Sequence, residues 1–357
     1  MRVRVVYNPR AGIDSRRALS AIRAAHPEWE GGVIRSTEHE GHARELAREA
    51  VRDGCELVFA VGGDGTANEV AEGLLGSQTT LGLIPVGSGN GLARTLEIPL
   101  KPDRALRCLE RESVVRRMDV GLLNERPFLN VAGVGFDAAV GRAFQERGRG
   151  GARRGVLAYV VLALRQLFSY RARECTLETD RETLRLRTLL VTFSNGRQYG
   201  AGAVIAPRAR LDDGRLDLFV VEDAPRLEVL LNAPRLFRGS LHRSPRCRLI
   251  STTRAVLVGA GPPHRDGEPE EEVERVEVRL LPRALRVLVP RHLAENPEGP
   301  FRSEETPPGW AVECGPTTRS SWSVRVVSGR RQAPPLHDAS RPGALLAPLV
   351  TASCSVA

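Results

Sequence analysis

Apolar runs and amphipathic stretches alternate regularly through the first third of the chain. Val3–Tyr7 reads as a buried strand that runs into the turn Asn8-Pro9-Arg10-Ala11-Gly12, and Ser15–Ala25 has helical spacing. Val33 and Ile34 predict a second strand ending at Ser36 and Thr37, with a helix over Gly41–Arg52 behind it. Five consecutive apolar residues, Leu57–Val61, predict a strand buried on both faces of a parallel sheet. Val70, Leu74 and Leu75 then form a helical stripe, and Thr66 and Glu69 stand at the spacing of a capping box. Leu81–Val86 is a fourth strand. Strand, turn and helix in repetition predict a doubly wound α/β sheet, whose ligands lie beyond the carboxyl ends of its strands.

From Met118 the pattern changes. Phe128–Gly135, Cys175–Leu177, Arg185–Ser194, Arg215–Glu222, Arg246–Ile250, Ala255–Gly259, Val273–Leu281 and Leu285–Val289 are strand-like, interrupted by helices at Ala138–Gln145, Gly155–Tyr170 and Leu227–Phe237. The expected organisation is an α/β domain over residues 1–118, a β-rich domain over 119–293, and a disordered tail over 294–357, rich in Pro, Ser, Gly and Arg.

Composition changes this picture little. A length of 357 residues suits two domains. The net charge of +9 comes almost wholly from dispersed arginine, Lys101 being the single lysine, and no nucleic-acid-binding motif accompanies it. Nucleic acid is therefore not an expected partner. The cysteines at 55, 108, 175, 247, 314 and 354 are scattered and read as reduced thiols, mostly buried. The start MRVRVVYNP is a strand pattern without the features of a signal peptide, so the expected location is cytoplasmic. The longest apolar stretch, Val156–Leu164, is far short of the roughly 20 residues of a spanning helix. Arg147, Arg149, Arg153 and Arg154 precede it, a combination that fits either contact with an anionic membrane face or a core helix behind a solvated basic loop.

The chemistry concentrates in two glycine-rich turns. Between the third strand and its helix, Gly62, Gly63 and Gly65 carry no side chains to keep backbone N–H groups from a phosphate, and the helix N-terminus adds partial positive charge. Asp64 is anomalous in such a turn, because a carboxylate repels phosphate. It is suited to holding a metal ion, accepting a proton or bonding neighbouring amides. Gly87, Ser88, Gly89 and Asn90 repeat the arrangement after the fourth strand, and the two turns are expected to face one ligand. Neither is a Walker loop, since the Gly-Lys-Ser/Thr ending is missing.

These blocks resemble the lipid kinase family that includes bacterial diacylglycerol kinases and the sphingosine and ceramide kinases. The resemblance rests on NPRAG at Asn8–Gly12, VGGDGTANEV at Val61–Val70, PVGSGNGLAR at Pro85–Arg94, FLNVAGVGFDAAV at Phe128–Val140, SNGRQYGAGAVIAPRARLDDGRLDLF at Ser194–Phe219, DGEP at Asp266–Pro269 and ALRVLVP at Ala284–Pro290. It implies a nucleotide-binding α/β domain joined to a β-sandwich, and an ATP- and Mg²⁺-dependent transfer to a lipid hydroxyl. Carried over residue by residue, the ATP site would be Asn8, Arg10, Thr37, Gly62, Gly63, Asp64, Gly65, Thr66, Asn68 and Ser88. The magnesium site would be Asp213 with the carbonyls of Arg210 and Arg215. The general base would be Glu268 by analogy with soluble bacterial members, or Asp64 by analogy with sphingosine kinases. Relatives carry a basic residue soon after the NPxxG turn; here Ile13 and Asp14 follow, leaving Arg16 or Arg17 to substitute. The implied partners are ATP and a lipid alcohol at the membrane surface, with a homodimer left open. Two other readings stand beside this one: an NAD kinase-like enzyme, and a non-catalytic lipid- or nucleotide-binding protein of the same fold.

Overall fold

The computed structural model describes residues 2–12, 14–149, 156–199 and 203–302, and the backbone of 311–318 and 321–327. The first layer runs β1 (Val3–Tyr7), α1 (Ser15–Ala25), β2 (Ile34–Ser36), α2 (His42–Arg52), β3 (Leu57–Gly62), α3 (Asp64–Leu74), β4 (Thr80–Pro85), α4 (Gly91–Thr95), α5 (Pro102–Arg111) and β5 (Ser113–Leu123). β1 lies parallel between β2 and β3, and β3 lies parallel to β4. Every residue of β3 and β4 is buried, as their unbroken apolar character requires. The order β2-β1-β3-β4 places the reversal of winding between β1 and β3, the crevice where doubly wound sheets bind ligands.

The second layer is built from β6 (Arg126–Phe128), β7 (Val131–Gly135), α6 (Phe136–Arg149), α7 (Val156–Ser169), β8 (Arg173–Thr179), β9 (Thr183–Ser194), β10 (Gln198–Tyr199), β11 (Ala203–Val204), β12 (Leu216–Glu222), α8 (Arg226–Phe237), β13 (Cys247–Thr252), β14 (Arg254–Val258), β15 (Pro263–Arg265), β16 (Glu268–Pro269) and β17 (Arg275–Pro290). Its pairings are antiparallel, and its core gathers Phe128, Phe193, Leu177, Leu218 and Val278. The architecture is thus α/β followed by a β-sandwich.

β17 belongs to both layers. Its start, Arg275–Arg279, pairs with β14, and from Val278 onward it pairs with β5 and lies parallel to β4 at Arg286 and Val287. The two strands expected at Val273–Leu281 and Leu285–Val289 are one strand with a shift of register between Leu281 and Leu285. The buried carboxylate of Asp119 holds that shift, accepting the Arg283 N–H at 2.7 Å while Arg283 takes a φ of 50°. Leu285, Val287, Leu288 and Val289 consequently join the core of the first layer.

The capping box expected at Thr66 and Glu69 does not form. α3 starts two residues before Thr66, with Gly63 as its extended N-cap residue. Glu69 instead accepts the Gly41 and Ala43 N–H groups at 3.0 and 3.1 Å, supplying acceptors at the start of α2, which has none of its own. α5 and the first half of β5 carry no sequence expectation, because their arginines mask the apolar stripe of Ala105, Leu106 and Leu109.

Order persists past Ala294. Phe301 is fully buried in the first core, and the Leu211 N–H bonds the Pro300 carbonyl at 2.6 Å. Of the remaining C-terminal segment, Ala311–Thr318 and Ser321–Val327 form a backbone hairpin beside β5, and the rest lies outside the described residues. The side chains of Arg147 and Arg149, and all of Arg153 and Arg154, lie outside them too. Among the described cysteines Cys55 and Cys175 are buried, Cys108 and Cys247 half-buried, and none is paired. Phe301→Ala should lower stability by about 3–5 kcal/mol in urea unfolding, the usual cost of truncating a buried aromatic ring.

Candidate active site

Three turns meet at the carboxyl ends of β1, β3 and β4. A Cβ on Gly87 would stand 2.6 Å from Gly63 Cα, and one on Gly12 would stand 2.5 Å from the Val86 carbonyl oxygen. Backbone therefore packs on backbone, which only glycine permits. Asn8 fixes the first turn, its Oδ1 accepting the Arg10 N–H and its Nδ2 donating to Thr66 Oγ1, both at 2.9 Å. Thr66 in turn fills the space that a Gly62 side chain would take. Thr37 joins the same edge through its N–H to the Tyr7 carbonyl at 2.8 Å. Asn68 is buried one turn along α3, while Ser88 and Arg10 are exposed. Asn90 sits at a φ of 53° and closes the fourth-strand turn, Oδ1 accepting the Gly87 N–H and Nδ2 donating to the Gly87 carbonyl. Arg17 pairs with Asp14 at 3.3 Å on the surface, so it is engaged locally.

Of the three tasks open to Asp64, the structure displays amide binding. Its Oδ1 accepts the Gly91 N–H at 2.7 Å, and a Cβ on Gly89 would stand 2.7 Å from its Oδ2. The carboxylate of one turn thus anchors the other. Burial, reinforced by the charge of Asp266 and opposed by the amides of Gly91, Asn90 and Leu92, pushes its pKa from an ordinary 3.8 to about 7.

Glu268 arrives from the second layer. A Cβ on Gly65 would stand 2.1 Å from Glu268 Oε1, so this carboxylate lies directly over the first turn of α3. Asp266 and Glu268 divide the DGEP turn between them. Asp266 accepts the N–H groups of Leu129, Asn130 and Val131 at 2.8 to 3.0 Å and is fully committed to holding the start of β7. Glu268 is solvent-accessible yet closely surrounded by protein. That crowding raises its pKa, against the pull of Arg265 and with help from Asp266, Glu69 and Glu40. A carboxylate reachable by solvent with a raised proton affinity is suited to general-base work.

The residues expected to hold magnesium lie apart from Glu268's partners, on the loop before β12. Asp213 Oδ1 accepts the Arg215 N–H at 3.0 Å, and the Arg210 guanidinium is spent on the carbonyls of Phe301 and Pro297, leaving its own carbonyl as its only ligand atom. Asp119, Asp212 and Asp217 crowd the same loop. Burial and then the Asp213 charge raise Asp217 to about 6, and burial raises Asp119 despite amides from Arg283 and Gly214. Asn195 donates through Nδ2 to the carbonyls of Asp119 and Leu129, and its Oδ1 is buried without a partner among the described residues. Buried carboxylates gathered around Asp213, whose charge adds to the raised pKa of Asp119 and Asp217, suit a hard divalent cation. Asp119 and Asp217 were not singled out in the sequence, although a carboxylate inside the apolar run MDVGLL is itself a signal. Among the described residues, a group of three side chains whose ligand atoms lie within 4.8 Å of one another is found elsewhere, at His39, His42 and Glu45. The His42 Nδ1 accepts the Glu38 N–H there, which leaves its proton on Nε2.

Comparison with known proteins fits this geometry. Residues 2–123 match the Diacylglycerol kinase catalytic domain, and residues 130–289 match the YegS C-terminal NAD kinase beta sandwich-like domain. A diacylglycerol kinase of Mycobacterium tuberculosis is 31% identical over 314 residues, covering 82% of this chain and 96% of that protein. The chain belongs to the diacylglycerol kinase family. A second relative in the family, the diacylglycerol kinase of Bacillus subtilis, is 31% identical over 67% of this chain and 79% of its own length. A Pseudomonas aeruginosa protein named "Probable lipid kinase YegS-like" is 34% identical over 61% of this chain and 70% of its own. The crystal structure of a diacylglycerol kinase from Bacillus anthracis str. Sterne has the same fold, with a TM-score of 0.64 at 24% identity over 81% of this chain and 96% of that one. The family makes the protein a kinase.

Because the folded chain holds the Asp64 proton more tightly than the unfolded chain, the stabilising effect of that proton is complete below about pH 4 and is lost as pH rises through about 7. Asp64→Asn keeps an oxygen acceptor for the Gly91 N–H and cannot ionise. In EDTA and without nucleotide, its melting temperature should gain on the parent between pH 4 and pH 8, as scanning calorimetry would record.

Proposed function

We propose that the protein transfers the γ-phosphoryl group of ATP to a hydroxyl of diacylglycerol or a related lipid, working at a membrane surface. The observation that carries this reading is the Glu268 carboxylate lying over Gly65, which sets a raised-pKa acceptor of protons against a glycine turn built for phosphate. ATP would lie along the turn of Asn8 and Arg10, Thr37, the stretch from Gly62 to Asn68, and Ser88, bound mainly by backbone N–H groups and the N-terminus of α3. The acceptor hydroxyl would give its proton to Glu268 as its oxygen bonds the γ-phosphorus and the bond to the β,γ-bridging oxygen breaks. Phosphoryl transfer demands mostly positioning and charge stabilisation, so rigid turns matter more than any covalent chemistry. Mg²⁺ would neutralise phosphate charge, and a structural cation would suit Asp213 with the carbonyls of Arg210 and Arg215.

Asp64 is the rival base, favoured by its pKa of about 7. Its Oδ1 is occupied by the Gly91 N–H, which supports a positioning task instead. Glu268→Gln separates the two. Turnover should fall by roughly 10²–10⁴-fold with ATP affinity nearly unchanged. Turnover close to the parent's would transfer the role to Asp64. The acceptor itself is to be found by incubating the protein with radiolabelled ATP and a total lipid extract, where a labelled phosphatidic acid is the expected product. ATP binding without any labelled lipid would favour the non-catalytic reading.

A further inference from the structure

Exposed apolar side chains are concentrated on two helices. Among the described residues, every large hydrophobic side chain more than 40% exposed lies on α7 or α8: Val161, Leu164 and Phe168 on the first, Leu227, Leu231 and Phe237 on the second. Phe168, Leu227 and Leu231 each expose 67 to 71%. The positions are not scattered around the helices. Val161, Leu164, Arg165 and Phe168 follow the i, i+3, i+4, i+7 spacing of a single face, with Leu167 buried behind it. Leu227, Leu231, Arg235 and Arg238 make the corresponding face of α8, a helix none of whose residues is fully buried.

The end of α7 and the start of α8 meet. Arg226 at the start of α8 donates through Nη2 to the carbonyl of Tyr170, the residue that follows α7. α7 packs on α6, and through it stands beside the acceptor end of the candidate active site. A Cβ on Gly141 of α6 would lie 3.5 Å from the Gly267 carbonyl and from Pro269, and Arg142 donates to the Glu270 carbonyl at 2.9 Å, so α6 presses on the turn that carries Glu268. Tyr170 meets Phe136, at the head of α6, edge to face at 5.8 Å.

We propose that the exposed faces of α7 and α8 together dock the protein on an anionic lipid bilayer beside Glu268. Charge identifies the occupant. The exposed arginines of this region, Arg165, Arg171, Arg235 and Arg238, are positive, α7 contains no acid, and the one acid of α8, Glu228, is paired with Arg246 at 3.0 Å. Leucine and phenylalanine flanked by arginine match acyl chains beneath anionic headgroups, with the arginine stems lying along the apolar surface and their heads in the headgroup layer. No described helix is long and apolar enough to cross the membrane, so the contact is with the surface. The physiological purpose rests on the lipid kinase reading, since a kinase so docked can take its acceptor directly from the bilayer; the binding itself does not.

The test is sedimentation of the full chain with phosphatidylcholine vesicles with and without phosphatidylglycerol, alongside turnover on a short-chain, water-soluble diacylglycerol in the absence of vesicles. Leu227→Gln combined with Leu231→Gln should weaken binding to the anionic vesicles by at least about tenfold. Arg165→Gln and Arg235→Gln should each weaken it by about fivefold, and only when phosphatidylglycerol is present. Turnover on the soluble acceptor should match the parent in all of these variants. Vesicle binding with this dependence but no turnover would uphold the docking face and defeat the kinase reading. Vesicle binding indifferent to the substitutions would overturn the docking face, as would light scattering showing that they turn a dimer into monomers while leaving vesicle binding intact.

Discussion

The close approach of Gly63 and Gly87 is the constraint on which the rest of the site depends. With a Cβ on either residue the third- and fourth-strand turns would separate, Asp64 would lose its reach to the Gly91 amide, and the surface under Glu268 would lose its shape. The parallel sheet makes this approach unavoidable, since hydrogen-bonded neighbours bring their carboxyl ends to the same rim about 5 Å apart. Glycine is what the rim requires, and phosphate affinity follows from the exposed amides that glycine leaves behind.

Around that rim, carboxylates serve as structural acceptors. Asp64 binds the start of α4, Asp266 binds three amides at the start of β7, Glu69 binds two at the start of α2, and Asp119 binds the register shift of β17. Each replaces a backbone partner that the local geometry cannot supply, and each does so between segments far apart in sequence. Glu268 differs because, among the described residues, no backbone amide donates to its carboxylate, which leaves its lone pairs for chemistry.

The layers were legible because their signals are local. Five apolar residues at Leu57–Val61 can be little other than a central strand, and glycine clusters at Gly62 and Gly87 mark the turns that follow. The meeting of Asp64, Gly65 and Glu268 was legible only through resemblance, since some two hundred residues separate them and no periodicity links their positions. Thr66 and Glu69 misled for the same reason: their spacing is that of a cap, but the N-terminus of α2 lay within reach of Glu69 and took its oxygens. The role of Asp217 and the burial of Phe301 depend on contacts between distant segments that no window of sequence contains.

β17 carries a mechanical consequence. A single strand is hydrogen-bonded into both layers, so tilting one against the other cannot be accommodated by a flexible linker there. The compliant point is the shift between Leu281 and Leu285, and its stiffness is set by the two amides on either side of the Asp119 carboxylate, from Arg283 and Gly214. The loop carrying Asp213 is therefore bonded, through Gly214 and Asp119, to the joint between the layers.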